Sequence, residues 1–145
     1  MLSIRPVSPD DMPDLFRVRT SVRENHQSEE ELLKLGITCD SLSELLRSGE
    51  AQGWCAEVDG TIVGFSMARK SDRDIFALFV VPEFERGGIG TSLLKAAVDW
   101  LRIGNPKPIH LSTGRATTAF SFYRKRGWRE IDSIGDDDAV LEFTG

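Results

Sequence analysis

The stretch Val80-Val81-Pro82-Glu83-Phe84-Glu85-Arg86-Gly87-Gly88-Ile89-Gly90-Thr91-Ser92-Leu93-Leu94 decides the fold. Asp74 to Val81, which leads into it, is apolar on both faces, the pattern of a strand at the centre of a sheet, and Pro82 ends it. Gly90 to Ile103, which follows, carries Leu94, Val98 and Leu101 on one stripe with Leu93, Ala97 and Trp100 beside it. That spacing predicts a helix buried along one side. Pro108 to Ser112 is a further short strand. A strand–helix–strand unit of this kind crosses over right-handed, so the two strands are expected to lie parallel.

The turn from Arg86 to Thr91 joins the first strand to the helix. The first N–H groups of a helix have no internal partner, and with the helix dipole they attract an anion. Glycines at 87, 88 and 90 let a phosphate approach the backbone with no Cβ in the way. Two phosphate loops fail on the residues present. A Walker loop needs Lys-Ser/Thr after its last glycine, and Gly90 is followed by Thr91-Ser92. A dinucleotide loop needs a third glycine, and the chain has Leu93 there.

Upstream, Leu2 to Val7 reads as a strand, and Ser8-Pro9-Asp10-Asp11 starts a helix carrying Met12, Leu15, Phe16, Val18 and Val22 at helical spacing. A second helix is predicted over Ser28 to Leu35. A third runs from a cap at Ser41, with Glu44 three residues on, to Arg47, and Gly49 closes it. Trp54 to Val58 and Thr61 to Ala68 form a hairpin on Asp59-Gly60. Downstream, Thr117 to Arg126 is a helix closed by Gly127, and Trp128 to Ile134 pairs with Ala139 to Phe143 around Gly135-Asp136. The class is α/β (α+β): one domain over residues 1–145, a mixed, mostly antiparallel sheet of about six to seven strands with one parallel pair, and helices on both faces.

Composition narrows the chemistry. Net charge is -5, and the only basic cluster, Arg124, Lys125, Arg126 and Arg129, is interrupted by aromatics, so nucleic acid is not an expected partner. No apolar run reaches membrane-spanning length, and the N-terminus does not read as a signal peptide, so a cytoplasmic protein is expected. Cys39 and Cys55 form no CxxC pair, and His26 and His110 lack metal spacing, so no metal is expected.

The Gly turn resembles the coenzyme-A motif of the GNAT (GCN5-related N-acetyltransferase) superfamily, [Q/R]-x-x-G-x-[G/A], with Val80-Val81-Pro82 before it and Ser92-Leu93-Leu94 after it. Phe122-Tyr123-Arg124-Lys125-Arg126-Gly127-Trp128 resembles that family's aromatic-Tyr-x-x-x-Gly-aromatic element, and Ala119 also matches. The element order agrees from residue 2 to residue 143. The chain departs from the pattern at Glu85, where the family has Gln or Arg, at Arg86, where Gly is common, and at Ala116, where many members have Asn. Glu85 is expected to face outward and Arg86 to supply charge.

The resemblance implies an acetyl-CoA-dependent N-acetyltransferase, with acetyl-CoA as co-substrate and no metal. It implies a coenzyme site of Phe79, Val80, Val81, Arg86, Gly87, Gly88, Ile89, Gly90 and Thr91. The pantetheine arm would pair with a bulged strand ending at Leu78-Phe79-Val80-Val81, and the N–H of Phe79 or Val80 would polarise the acyl carbonyl. Tyr123 falls at the general-acid position. Asp74 is the first candidate base and His110 the second. The acceptor pocket would be built from Arg19 to Thr38, with Glu24 and Asn25 as candidate contacts, for a small-molecule amine or a peptide N-terminus. A non-catalytic acyl-CoA sensor is the competing class. A homodimer through an exposed strand edge is compatible with the pattern.

Overall fold

The computed structural model of the chain describes residues 2–22, 28–85 and 87–144. Three of the predicted site residues, Glu24, Asn25 and Arg86, lie outside them. Strand β1 (Leu2–Pro6) leads into helices α1 (Met12–Ser21), α2 (Glu29–Lys34) and α3 (Cys39–Ser48). Strands β2 (Ala51–Val58), β3 (Thr61–Arg69) and β4 (Asp74–Val80) form a meander. Helix α4 (Ile89–Leu101) connects to β5 (Ile109–Gly114), and α5 (Thr118–Lys125) precedes the last hairpin, β6 (Arg129–Ile134) and β7 (Asp138–Phe143).

All strands join one 7-stranded sheet in the order β1-β2-β3-β4-β5-β7-β6. Only the β4–β5 pairing is parallel. The sheet is therefore mixed and mostly antiparallel, with β4 at its centre as its two-faced apolar pattern predicts. The β2–β3 hairpin turns on Asp59 at φ 51° and Gly60 at φ 85°, the backbone of a tight two-residue turn.

Helix α1 buries Met12, Leu15 and Val18. Its start is fixed by Asp11, whose carboxylate accepts from the Ser8 N–H at 2.8 Å and from both Arg5 Nη atoms, at 2.9 and 3.0 Å. Helix α3 begins earlier than predicted. Thr38, not Ser41, is its cap: Thr38 Oγ1 accepts from Ser41 N–H at 3.0 Å, and Ser41 Oγ accepts from Thr38 N–H at 2.9 Å. Ser41 is thus the reciprocal partner of the cap. Strand β2 also starts earlier, at Ala51, because Ala51 pairs with Arg69 at the far end of β3.

Two contacts fix α4 against the sheet. Gly64 on β3 leaves room for Leu93; a Cβ there would meet Leu93 Cδ1 at 3.2 Å and the Phe79 carbonyl oxygen at 3.0 Å. Ser66, fully buried, donates its hydroxyl to the Leu93 carbonyl at 3.0 Å. Burying a side chain such as Leu93 contributes about 1.5–3 kcal/mol, and the Ser66 bond satisfies a polar group that would otherwise be buried unpaired. Together they set where the first turn of α4 sits relative to β4. Helices α1 and α3 cover the opposite face of the sheet. Among the described residues, no helix is long and apolar enough to cross a membrane.

Candidate active site

The parallel pair opens almost as soon as it forms. Pairing of β4 with β5 is confined to Asp74↔His110, beside a bond from His110 N–H to the Arg73 carbonyl at 2.9 Å. Strand β5 then follows β7 through Gly114↔Asp138, while β4 stays with β3 through Val80↔Gly64. A gap therefore widens along β4 toward its C-terminal end.

Which backbone groups face that gap follows from the ladder. Val81 N–H donates to the Val63 carbonyl at 2.8 Å, and the register continues Gly64↔Val80 and Phe65↔Phe79. Bonded pairs alternate in an antiparallel ladder. Phe79 therefore turns its N–H to β3, while Leu78 and Val80 turn theirs toward the gap. Of the two N–H groups predicted for the acyl carbonyl, that of Val80 has the required direction. Strand β4 also carries a bulge. Met67 pairs with Ala77 and Ala68 with Ile75, leaving Phe76 as the extra residue.

The gap leads to the glycine turn. Pro82–Phe84 form a short 3-10 turn, and Glu85 is exposed. Gly88 caps α4 at φ 80° with no side-chain bond, and the first helical bond runs from Ser92 N–H to the Gly88 carbonyl at 3.1 Å. The N–H groups of Ile89, Gly90 and Thr91 precede that bond and lead the helix, a geometry that attracts negative charge.

A guanidinium stands beside it. Arg126 donates to Thr91 Oγ1 from Nε at 3.2 Å and from Nη2 at 3.0 Å, and to the Phe122 carbonyl from Nη1 at 2.9 Å. It also lies 3.7 Å over the Phe122 ring. In the sequence Arg126 stands out only as one member of the basic cluster with Arg124, Lys125 and Arg129, with no place in the coenzyme site. The available signal was its spacing of four from Phe122, which puts a cation over an aromatic face at a helix C-terminus.

Tyr123 is buried, 6% exposed, in a cluster that includes Ile75, Leu94, Leu111 and Leu141. Its ring meets Phe122 edge-on at 5.3 Å and Trp128 at 5.8 Å. Burial pushes its phenol well above the ordinary tyrosine value, so the group keeps its proton throughout the neutral range. Asp74 sits at the closed end of the gap, where Arg69 takes both carboxylate oxygens, at 3.0 and 2.7 Å. His110 faces Glu142 through Nε2 at 3.1 Å. Cys55 is buried in the core and its thiol is pushed up to about 11, so it offers no thiolate at neutral pH.

On the opposite face of the sheet, a cavity of about 410 Å³ opens beneath α1 and α3. Leu15, Arg19, Leu42, Arg69, Phe76 and Phe79 are among the residues that line it. The Arg19 guanidinium lies 4.2 Å from the centre of the Phe79 ring, and that of Arg69 lies 4.6 Å from Phe76. Arg19, Leu32, Gly36 and Ile37 come from the predicted segment Arg19 to Thr38. The contributions of β3, β4 and α3 were not anticipated, because the bulge at Phe76 and the packing of distant elements bring them there.

Comparison with known proteins agrees with this geometry. An acetyltransferase (GNAT) domain model matches residues 21–143. An uncharacterized N-acetyltransferase of Archaeoglobus fulgidus is 30% identical over 145 residues, covering 92% of this chain and 97% of the relative. The peptidyl-lysine N-acetyltransferase YiaC of Escherichia coli is 30% identical over 91 residues, covering 63% of this chain and 59% of the relative. In structure, the PaiA N-acetyltransferase of Thermoplasma acidophilum in complex with coenzyme A superposes with a TM-score of 0.86 at 24% identity, covering 100% of this chain and 99% of that one. The chain belongs to the GNAT acetyltransferase family and is an acetyl-CoA-dependent N-acetyltransferase.

Proposed function

We propose that the protein moves the acetyl group of acetyl-CoA directly to a primary amine, with the thioester lying in the gap between β4 and β5. The observation that carries this reading is that the gap opens along β4 toward the glycine-rich start of α4. The pyrophosphate rests on the N–H groups of Gly87 to Thr91. Arg126 supplies the charge that Glu85 does not, assisted by Arg86. The Val80 N–H polarises the carbonyl as negative charge develops on its oxygen.

The amine nitrogen attacks the carbonyl carbon, the C–S bond breaks, and the thiolate leaves. An amine with a pKa of about 10.4 costs roughly 4–5 kcal/mol to deprotonate at pH 7. Asp74 is the candidate base. Arg69 occupies both its oxygens, and six residues of β4, about 20 Å, separate it from Val80, so its route to the amine is a chain of waters along the gap. Tyr123, held protonated, donates to the departing sulfur. A free thiol at about 8.5 ionises more readily than a phenol at about 10. Tyr123 therefore stabilises the departing thiolate as a hydrogen-bond donor rather than by complete proton transfer.

The acceptor is an amine on a small molecule or a peptide N-terminus, entering from the cavity face; Glu24 and Asn25, its candidate contacts, lie outside the described residues. Two free cysteines suit a reducing compartment, and we place the reaction in the cytoplasm. Denaturation with and without ligand tests the coenzyme half of the reading. Acetyl-CoA at about 100 times its Kd should add about 2.7 kcal/mol of stability. NAD and ATP should add none; equal stabilisation by either would overturn it.

A further inference from the structure

The sheet divides into two parts that meet at one point. Strands β1 to β4 form one ladder, and β5, β7 and β6 form the other. Among the described residues, Asp74 and His110 are the only pair that joins them. The groups assigned to the reaction fall on opposite sides of that joint. The Val80 N–H belongs to β4, in the first part, whereas Tyr123 packs with Ile109, Leu111 and Leu141 of the second. Helix α4 touches both, burying Ile89 and Leu93 in one cluster and Leu94 and Ala97 in the other.

One residue closes the joint. Arg73 ends the turn before β4 at φ 48°, in the left-handed region that side chains rarely adopt. Its carbonyl accepts the His110 N–H at 2.9 Å. Its half-buried guanidinium donates to four carbonyls between the end of α4 and the start of β5: Leu101 from Nη1 at 2.9 Å, Pro108 from Nε at 3.2 Å, and Asn105 and Lys107 from Nη2 at 3.1 and 2.5 Å. A strained backbone persists where its surroundings over-determine it, and this fork of bonds does so. Val80 lies six residues beyond Asp74, about 20 Å along β4. A rotation of about 3° at the joint therefore moves Val80 about 1 Å against the second part, and a misplacement of about 1 Å can cost about 100-fold in rate.

We propose that Arg73 is a positioning residue for acetyl transfer. By clipping the start of β4 to the segment that leads into β5, it fixes the distance between the Val80 N–H and the Tyr123 hydroxyl, and so the width of the gap. The proposal rests on the transferase reading above. The start of α4 and β4, which hold the coenzyme on that reading, both belong to the first part, so Arg73 governs rate and not affinity for acetyl-CoA.

Two variants and a mutant cycle test this. Arg73→Gly takes φ 48° without strain and removes the fork. Arg73→Lys keeps a point charge that cannot span four carbonyls. Arg73→Gly should lower kcat about 10- to 100-fold and Arg73→Lys less, each with a Kd for acetyl-CoA within about twofold of wild type. Tyr123→Phe supplies the readout that lost stability cannot imitate. It should cost about 10- to 100-fold in kcat alone but about threefold or less on top of Arg73→Gly, because the displaced hydroxyl no longer reaches the sulfur. Arg5→Ala, which breaks ion pairs to Asp11 and Glu57 at the β1 edge, is the control: it should lower the melting temperature and leave kcat unchanged. Losses that simply multiply in the cycle, an unchanged kcat in Arg73→Gly, or a rise in Kd that matches the loss in kcat would overturn the proposal and leave the transferase standing. Failure of both Arg73 variants to fold would assign the residue to structure alone and overturn it too. A wild-type protein with no amine-dependent thiol release would remove the transferase reading and this proposal with it.

Discussion

Arg126 Nη2 donates to the hydroxyl of Thr91 at 3.0 Å, tying the end of α5 to the first turn of α4. Thr91 also lies among the leading N–H groups of that helix. The pair therefore brings a fixed cation to a site already shaped for an anion. Arg126→Ala is expected to weaken acetyl-CoA binding about 10- to 100-fold, the range for one charge-assisted hydrogen bond. Calorimetric titration with acetyl-CoA checks this, and kcat at saturating coenzyme should change far less.

The glycines of the turn differ as test sites. Gly88 sits at φ 80°, where any other side chain strains the backbone, so its replacement mixes folding with binding. A Cβ at Gly90 would meet the Phe122 ring at 3.6 Å, an ordinary contact. Gly90→Val should therefore fold with a melting temperature near wild type and bind acetyl-CoA at least about 100-fold more weakly, because its side chain stands where the phosphate must approach. Melting curves and a titration on the same preparation separate the two effects.

Tyr123→Phe should lower kcat about 10- to 100-fold and leave the Kd for acetyl-CoA nearly unchanged, as expected when a donor acts mainly in the transition state. An unchanged kcat would exclude the donor role. Because burial holds the phenol protonated, the wild-type pH–rate profile should show no loss from its ionisation below about pH 10.

Alkali should destabilise the fold through Cys55. Its thiol is pushed up to about 11 in the folded chain by burial, whereas an unfolded chain ionises near about 8.5. The unfolded state loses its proton first. Stability is therefore fully present below about pH 8.5 and falls as pH rises toward 11. Tyr123 adds to the loss above its own ordinary value. Urea midpoints measured between pH 8 and 11 should fall, and Cys55→Ala should fall less steeply over the lower part of that range.

Much of the scaffold could be read from local pattern. The two-faced apolar run of β4, the striped α4 and the Asp59-Gly60 hairpin carry their periods and turn chemistry in a few adjacent residues. The start of α3 was misplaced because Thr38 and Ser41 are both capping residues, and only the reciprocal bonding distinguishes them. The site was legible in part. The glycines and Tyr123 announce themselves by spacing. The bulge at Phe76 does not, since nothing in Ile75-Phe76-Ala77-Leu78 marks one residue as extra. The Asp74–Arg69 pair depends on hairpin register, and the cavity depends on residues from α1, α2, α3, β3 and β4 meeting in space.

The central claim is that the gap beside Val80 and the start of α4 hold acetyl-CoA for direct transfer to an amine. Thiol release from acetyl-CoA, followed across a panel of primary amines, tests it most directly. The account predicts amine-dependent release, matched one-to-one by N-acetylated product and abolished by Gly90→Val. Tight acetyl-CoA binding with no release above the amine-free rate for any acceptor would contradict it, and would leave a coenzyme-binding sensor in its place.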